Sequence, residues 1–178
     1  MLATVVSTTK ATTTSRTQAK WAKTYYAWIQ AHHGSHSHST HQFSLVDMDN
    51  NGTPEFFLLS SGGGSRPSLY IGVNEYATFA TSNDSYEVFY SGNNIWVIYT
   101  YNDTETIERH SLANPGFFVE IWRCNAPNYT YRTSDENDWQ NITADEYEAA
   151  KRKAESGMKV RFEHTYIGGD INLEDYWP

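Results

Sequence analysis

A single cysteine, Cys124, stands in the 178 residues, so no disulfide can form within the chain and the fold is not stapled. No apolar run approaches the roughly 20 residues that a membrane-spanning helix requires, and the opening MLATVV is too short for a signal-peptide core. Basic residues are scarce: 13 Lys and Arg against 21 Asp and Glu give a formal charge of −8. A surface that tracks phosphates needs clustered Lys and Arg, so nucleic acid is excluded as the expected partner. A chain of this length buries about 70% of its unfolded surface on folding, enough for one domain to stand by itself.

Aromatic residues, by contrast, are abundant, at 15% of the chain with 13 Tyr and 6 Trp. Such rings serve either as core or as half-wet contact surface, because Tyr and Trp carry a polar tip on an apolar body. Seven histidines accompany the acidic balance. Solubility and self-association are therefore expected to respond to pH near the histidine range, around 6.5.

Residues 1–17 read as a Thr-rich extension or linker, and STTKATTTSRTQA, residues 7–19, is poor in apolar groups. The stretch also has the β-propensity to add as an extended strand to a neighbouring sheet. Residues 18–178 read as one α+β domain. A helix is expected from Gln18 to His33, where Trp21, Tyr25, Trp28, Ile29 and His32 recur on one face and Gly34 stops it. From Phe43 to Arg132 the pattern changes to nine short β-type runs separated by Gly, Asn, Asp and Pro turns, which implies antiparallel neighbours. Thr143 and Glu146 form a T-x-x-E capping box at the start of a second helix, with Tyr147, Ala150 and Ala154 as its apolar side. A last strand, KVRFEHTYI, places Val160, Phe162 and His164 on one face. The expected fold is an N-terminal helix packed on a mainly antiparallel sheet, with a second helix late in the chain.

The segment VDMDNNGTPEFF carries the densest chemistry. Counted from Asp47, side-chain oxygens fall at positions one, three and five (Asp47, Asp49, Asn51), followed by Gly52. A hard cation takes six to eight oxygens, and alternate residues on a tightly curled backbone can aim theirs at one point. Thr53 offers a backbone carbonyl and Glu55 a closing carboxylate. An EF-hand needs a bidentate Glu at position twelve, where this chain has Leu58, and Pro54 removes the N–H through which paired EF-loops bond. The other reading of DNNG is a polar hairpin turn with no ion.

The order helix, loop, FSLVDMDNNGTPEFFLL resembles the F-x-L-x-D-x-D-x-D-G-x-P-E-L pattern of a large group of exported proteins and lipoproteins of Gram-positive bacteria. It is also similar to the calcium loops of FG-GAP and VCBS-type repeats. ITADEY, from Ile142 to Tyr147, matches the late helix start that the group often carries. The resemblance implies Asp47, Asp49, Asn51, Thr53 and Glu55 as Ca2+ ligands and an extracellular or cell-surface setting. Asn51 replaces the commoner Asp.

Other constellations point less sharply. HHGSHSHSTH, residues 32–41, holds five of the histidines and reads either as a transition-metal loop or as a solvated cap on the helix C-terminus. SSGGGSRPS lacks the G-K-[ST] ending of a phosphate cradle. Glu105, Glu108, Glu120, Asp135, Glu136 and Asp138 are the acids available for a glycosidase-like pair. Cys124, beside Trp122 in a strand-like run, is expected to be buried and inert. Sequons stand at Asn51, Asn83, Asn102, Asn128 and Asn141. The leading expectation is a non-enzymatic, exported calcium-binding module for adhesion. The alternatives are a carbohydrate-binding domain with exposed Trp and Tyr, and a self-assembling subunit that lends its N-terminal segment to a second copy. The expected partners are a glycan, a surface protein or another copy of the chain.

Overall fold

The computed structural model describes residues 19–33, 40–61, 67–73, 76–82, 85–167 and 170–177. Helix α1 spans Lys20–His33 and helix α2 Ala144–Glu155; a short 3-10 turn covers Leu173–Tyr176. The strands are β1 Thr40–Val46, β2 Glu55–Ser61, β3 Ser68–Val73, β4 Tyr76–Ser82, β5 Ser85–Ser91 and β6 Asn94–Tyr101. They continue with β7 Thr104–Ser111, β8 Asn114–Asn125, β9 Asn128–Thr133, β10 Gln140–Asn141, β11 Met158–Lys159 and β12 His164–Tyr166. The expected α+β class holds, and all nine β-type runs fold as strands. The Thr-rich residues 1–17 and the start of the helix at Gln18 lie outside the described residues.

These strands divide between two antiparallel sheets. One has the order β12-β1-β2-β3-β4, the other β10-β9-β8-β7-β6-β5-β11. Short turns set most of the pairing. Asn102 and Asp103 both take positive φ, +46° and +62°, between β6 and β7, the conformation that matches the right-handed twist of a two-residue hairpin.

Side-chain alternation then stacks four layers. In β2, Phe57 faces the gap between the sheets with Leu69, Ile71 and Val73, while Phe56 and Leu58 face α1 with Trp21, Tyr25 and Ile29. In β6, Ile95, Val97 and Tyr99 fill the gap from the other side, and Trp96 and Ile98 face α2 with Tyr147, Ala150 and Ala154. The layers run α1, first sheet, second sheet, α2. Strands buried on both faces lose the polar alternation of a half-wet strand, which is why EFFLL and NIWVIY read as nearly continuous apolar runs.

Helix α2 begins as its sequence predicts. Thr143 accepts from the Glu146 N–H at 3.2 Å, and the Glu146 carboxylate accepts from the Thr143 N–H at 2.8 Å. Its outer turn is pinned by Glu105 of β7, which accepts from the Tyr147 hydroxyl at 2.9 Å and from Lys151 Nζ at 2.8 Å.

The expected last strand is corrected by the structure. Val160 remains with the second sheet, its N–H donating to the Val88 carbonyl at 2.8 Å, and Phe162 packs into the same inter-sheet core. His164 instead belongs to β12, where it pairs with Phe43 of the first sheet. The segment leaves the edge of one sheet and joins the edge of the other, so its alternation cannot describe one continuous face. The tail closes over α1: Tyr26 donates to Asp170 at 2.8 Å, and the Ala19 N–H donates to Glu174 at 3.0 Å.

Candidate metal centre

The acidic segment closes the β1–β2 hairpin, with Val46 paired to Glu55. Asn50 at φ +58° and Gly52 at φ +82° supply two left-handed kinks in three residues. Asn and Gly are the residue types that take this region at least cost. The curl points N–H groups inward. The Asn51 N–H reaches Asp47 Oδ1 at 3.0 Å and Asp49 Oδ1 at 3.1 Å, and the Gly52 N–H reaches Asp47 Oδ2 at 2.9 Å.

One carboxylate oxygen from each of Asp47, Asp49 and Glu55 lies within 4.8 Å of the others. The three acids differ in surroundings. Asp49 is exposed and Asp47 half-buried, whereas Glu55 is 1% exposed beneath the loop. Its Oε2 accepts from the Met48 N–H at 2.7 Å, while its Oε1 is buried with no hydrogen-bond partner. Burial pushes the Glu55 carboxyl up to about 7; the Met48 N–H opposes this, and Asp49 and Asp47 add to it.

The two remaining sequence-predicted ligands take other positions. Asn51 turns its amide nitrogen to Asp49 Oδ2 at 2.9 Å, and its Oδ1 accepts from the Thr53 N–H at 2.7 Å. Thr53 is half-buried at the end of the turn. The donor set is therefore three carboxylates on a frame of backbone N–H groups, all hard oxygen, the chemistry of Ca2+ and Mg2+ rather than of thiophilic metals.

Two supporting residues carry no ligand chemistry in the sequence. Met48, at a position between Asp47 and Asp49, buries its side chain in the inter-sheet core and so holds its N–H against Glu55. Tyr25 of α1 donates to the Pro54 carbonyl at 3.1 Å and stacks on Phe56 at 5.2 Å. The helical periodicity marks Tyr25 as core, but nothing local marks it as a brace of the loop.

The rival constellations settle differently. The histidine loop falls largely outside the described residues, as do residues 62–66 of the Gly-rich stretch. His41 is buried and stacks on Tyr166 with ring centres 5.9 Å apart. The acids Glu105, Glu108, Glu120 and Glu136 are each held by separate partners: Tyr147 and Lys151, Tyr99 and His110, Arg109 and Tyr131, and Gln140. Cys124 is free and half-buried rather than fully buried. Asn51, Asn102, Asn128 and Asn141 are exposed, and Asn83 lies outside the described residues.

None of the six tryptophans is exposed. Trp96 stacks on Trp122 at 5.8 Å, and Trp122 tilts against Tyr131 at 5.2 Å. Comparison with protein-family models, with curated proteins and with solved structures gave no match to this chain.

Proposed function

We propose that residues 47–55 bind Ca2+ and that the protein is an exported, cell-surface module whose fold the ion completes. The observation that carries this reading is Glu55: a carboxylate 1% exposed, with one oxygen lacking any partner, set beside two further carboxylates. An unpaired buried acceptor is costly, and a divalent cation would offset both that cost and the repulsion among the three acids. The export and adhesion parts rest on the likeness of the loop to those of exported bacterial proteins.

Calorimetry with CaCl2 on chelator-stripped protein tests the reading, with Asp47→Ala and Asp49→Ala alongside. Wild type should bind one ion, and each variant should lose at least tenfold in affinity. Heat identical to buffer dilution in millimolar calcium would remove the proposal.

A second reading has support from the first sheet. Its order ends at β4, and nothing among the described residues pairs with the outer side of that strand. YATFATS carries no charge or proline, the usual devices that blunt an edge. A Thr-rich residue 1–17 segment from another copy is a chemically matched occupant. Deleting residues 1–17 should abolish assembly seen by analytical ultracentrifugation; an oligomer that survives the deletion would dismiss it. The carbohydrate-stacking alternative calls for an exposed row of Trp and Tyr rings; no tryptophan is exposed, and of the described tyrosines Tyr101 and Tyr176 are.

A further inference from the structure

A second site emerges on the inter-sheet face of β8 and β9, from observations independent of the acidic loop. Arg123 and Arg132 are diagonal neighbours there, since Arg123 pairs with Thr130 and Ile121 with Arg132. Trp139, from the segment after β9, lies against both: the Arg123 guanidinium carbon is 4.2 Å from its ring centre and that of Arg132 is 4.9 Å. Arg132 also lies 5.2 Å from the Phe118 ring, so it is held by two aromatic side chains.

Both arginines are half-buried, and neither forms an ion pair among the described residues. Arg132 Nε is fully buried with no hydrogen-bond partner. That is unusual in a chain of charge −8, where carboxylates outnumber cations and a counter-charge is easily supplied. No acid of the covering segment, Asp135, Glu136 or Asp138, forms an ion pair with either guanidinium among the described residues. Glu136 is engaged by the Thr133 N–H at 3.2 Å and by Gln140 at 3.0 Å, and Asp135 by Ser134.

Ring stacking satisfies the flat face of a guanidinium but none of its in-plane N–H groups. Two such guanidinium forks on one indole keep in-plane donors that an oxyanion can accept from. A half-buried cation without a counter-ion is costly, and a bound carboxylate or sulfate would offset that cost through charge-assisted hydrogen bonds. We propose that Arg123, Arg132 and Trp139 form a binding site for an oxyanion-bearing ligand, the planar carboxylate of an acidic sugar being the best geometric match to the forks.

The test uses the full chain, stripped of calcium and dialysed free of chelator, because a polycarboxylate chelator would compete. Sodium glucuronate and sodium sulfate are titrated by calorimetry at pH 7 against sodium chloride of equal ionic strength, with and without added CaCl2. Wild type should bind at least one oxyanion, and Arg132→Gln or Arg123→Gln should each weaken it about tenfold or more. Preference for glucuronate would assign a sugar acid, and preference for sulfate a sulfated ligand. The double variant Arg123→Lys/Arg132→Lys keeps both charges but loses the forks, and should also bind about tenfold more weakly. No binding beyond chloride in wild type, or undiminished binding in the lysine pair, would overturn the proposal even if the glutamine variants failed to fold.

Discussion

The Tyr25 hydroxyl donates to the Pro54 carbonyl across 3.1 Å, tying helix α1 to the far end of the acidic loop. The same ring stacks on Phe56, the residue after Glu55. The outermost layer on that side therefore braces the loop from behind, through a residue whose spacing in the helix shows only that it is buried.

Tyr25→Phe keeps the stacking and removes the hydroxyl, leaving a buried carbonyl without its donor. Such an orphan costs roughly 1–3 kcal/mol. A urea midpoint lowered accordingly, together with a weaker calcium isotherm, is the expected outcome. If stability fell while calcium affinity stayed unchanged, the bond would support the fold without bracing the loop.

Glu55 gives the metal-free protein a defined pH dependence. Its carboxyl titrates near 4.5 in the unfolded chain and is pushed up to about 7 in the folded one. Below pH 4.5 both states hold the proton and the group is neutral in its effect. As pH rises toward 7 the unfolded chain ionises first, so stability is lost across that window, by about 3 kcal/mol in all. Urea unfolding in EDTA at pH 5 and pH 8 measures the loss. Glu55→Gln should flatten it, and saturating calcium should reverse it by favouring the ionised carboxylate.

Calcium itself should raise the melting temperature. At a hundredfold excess over Kd, mass action contributes about 2.7 kcal/mol, worth roughly 5–10 °C for a chain of this size. At the same calcium concentration Asp47→Ala and Asp49→Ala should show at most about half of that gain in a thermal scan with and without the ion.

Gly72 on β3 lies under the same helix. A Cβ there would meet Tyr25 Cε1 at 2.7 Å and Phe56 Cβ at 3.3 Å. Gly72→Ala must displace the Tyr25 ring, and overpacking of this kind costs about 1–3 kcal/mol. Its distinguishing sign is that calcium affinity falls with stability, because the displaced ring carries the hydroxyl that holds Pro54.

At the opposite face, Thr143→Ala removes the capping hydroxyl of α2 and should cost about 1 kcal/mol. Calcium affinity should not change, since α2 packs on the second sheet. A change in affinity would reveal coupling across all four layers.

Much of this molecule was legible locally. Nine strands, both helices and the capping box follow from periodicity, turn residues and the Thr143–Glu146 spacing, all of which act within a few residues. The D-x-D-x-N-G spacing brings Asp47 and Asp49 together in the same way, because one left-handed residue at Gly52 curls a short loop. Asn50 joins Gly52 in that region for a reason visible in DNNG, although the spacing alone does not say that both positions turn.

The long-range choices were settled elsewhere. KVRFEHTYI alternates like one strand, yet no local signal tells its two halves that different sheet edges await them. The spacing marks Glu55 as a closing carboxylate but says nothing of its burial, and only the packing of Met48 and the overlying loop removes it from water and leaves Oε1 unpartnered. Arg123, Arg132 and Trp139 are scattered over 17 positions of sequence and meet because β8 pairs with β9 and the next segment folds back. Spacing and propensity act through neighbours in the chain and fix elements and turns. Burial, counter-charge and the pairing of distant strands depend on neighbours in space, which exist only once the layers have closed.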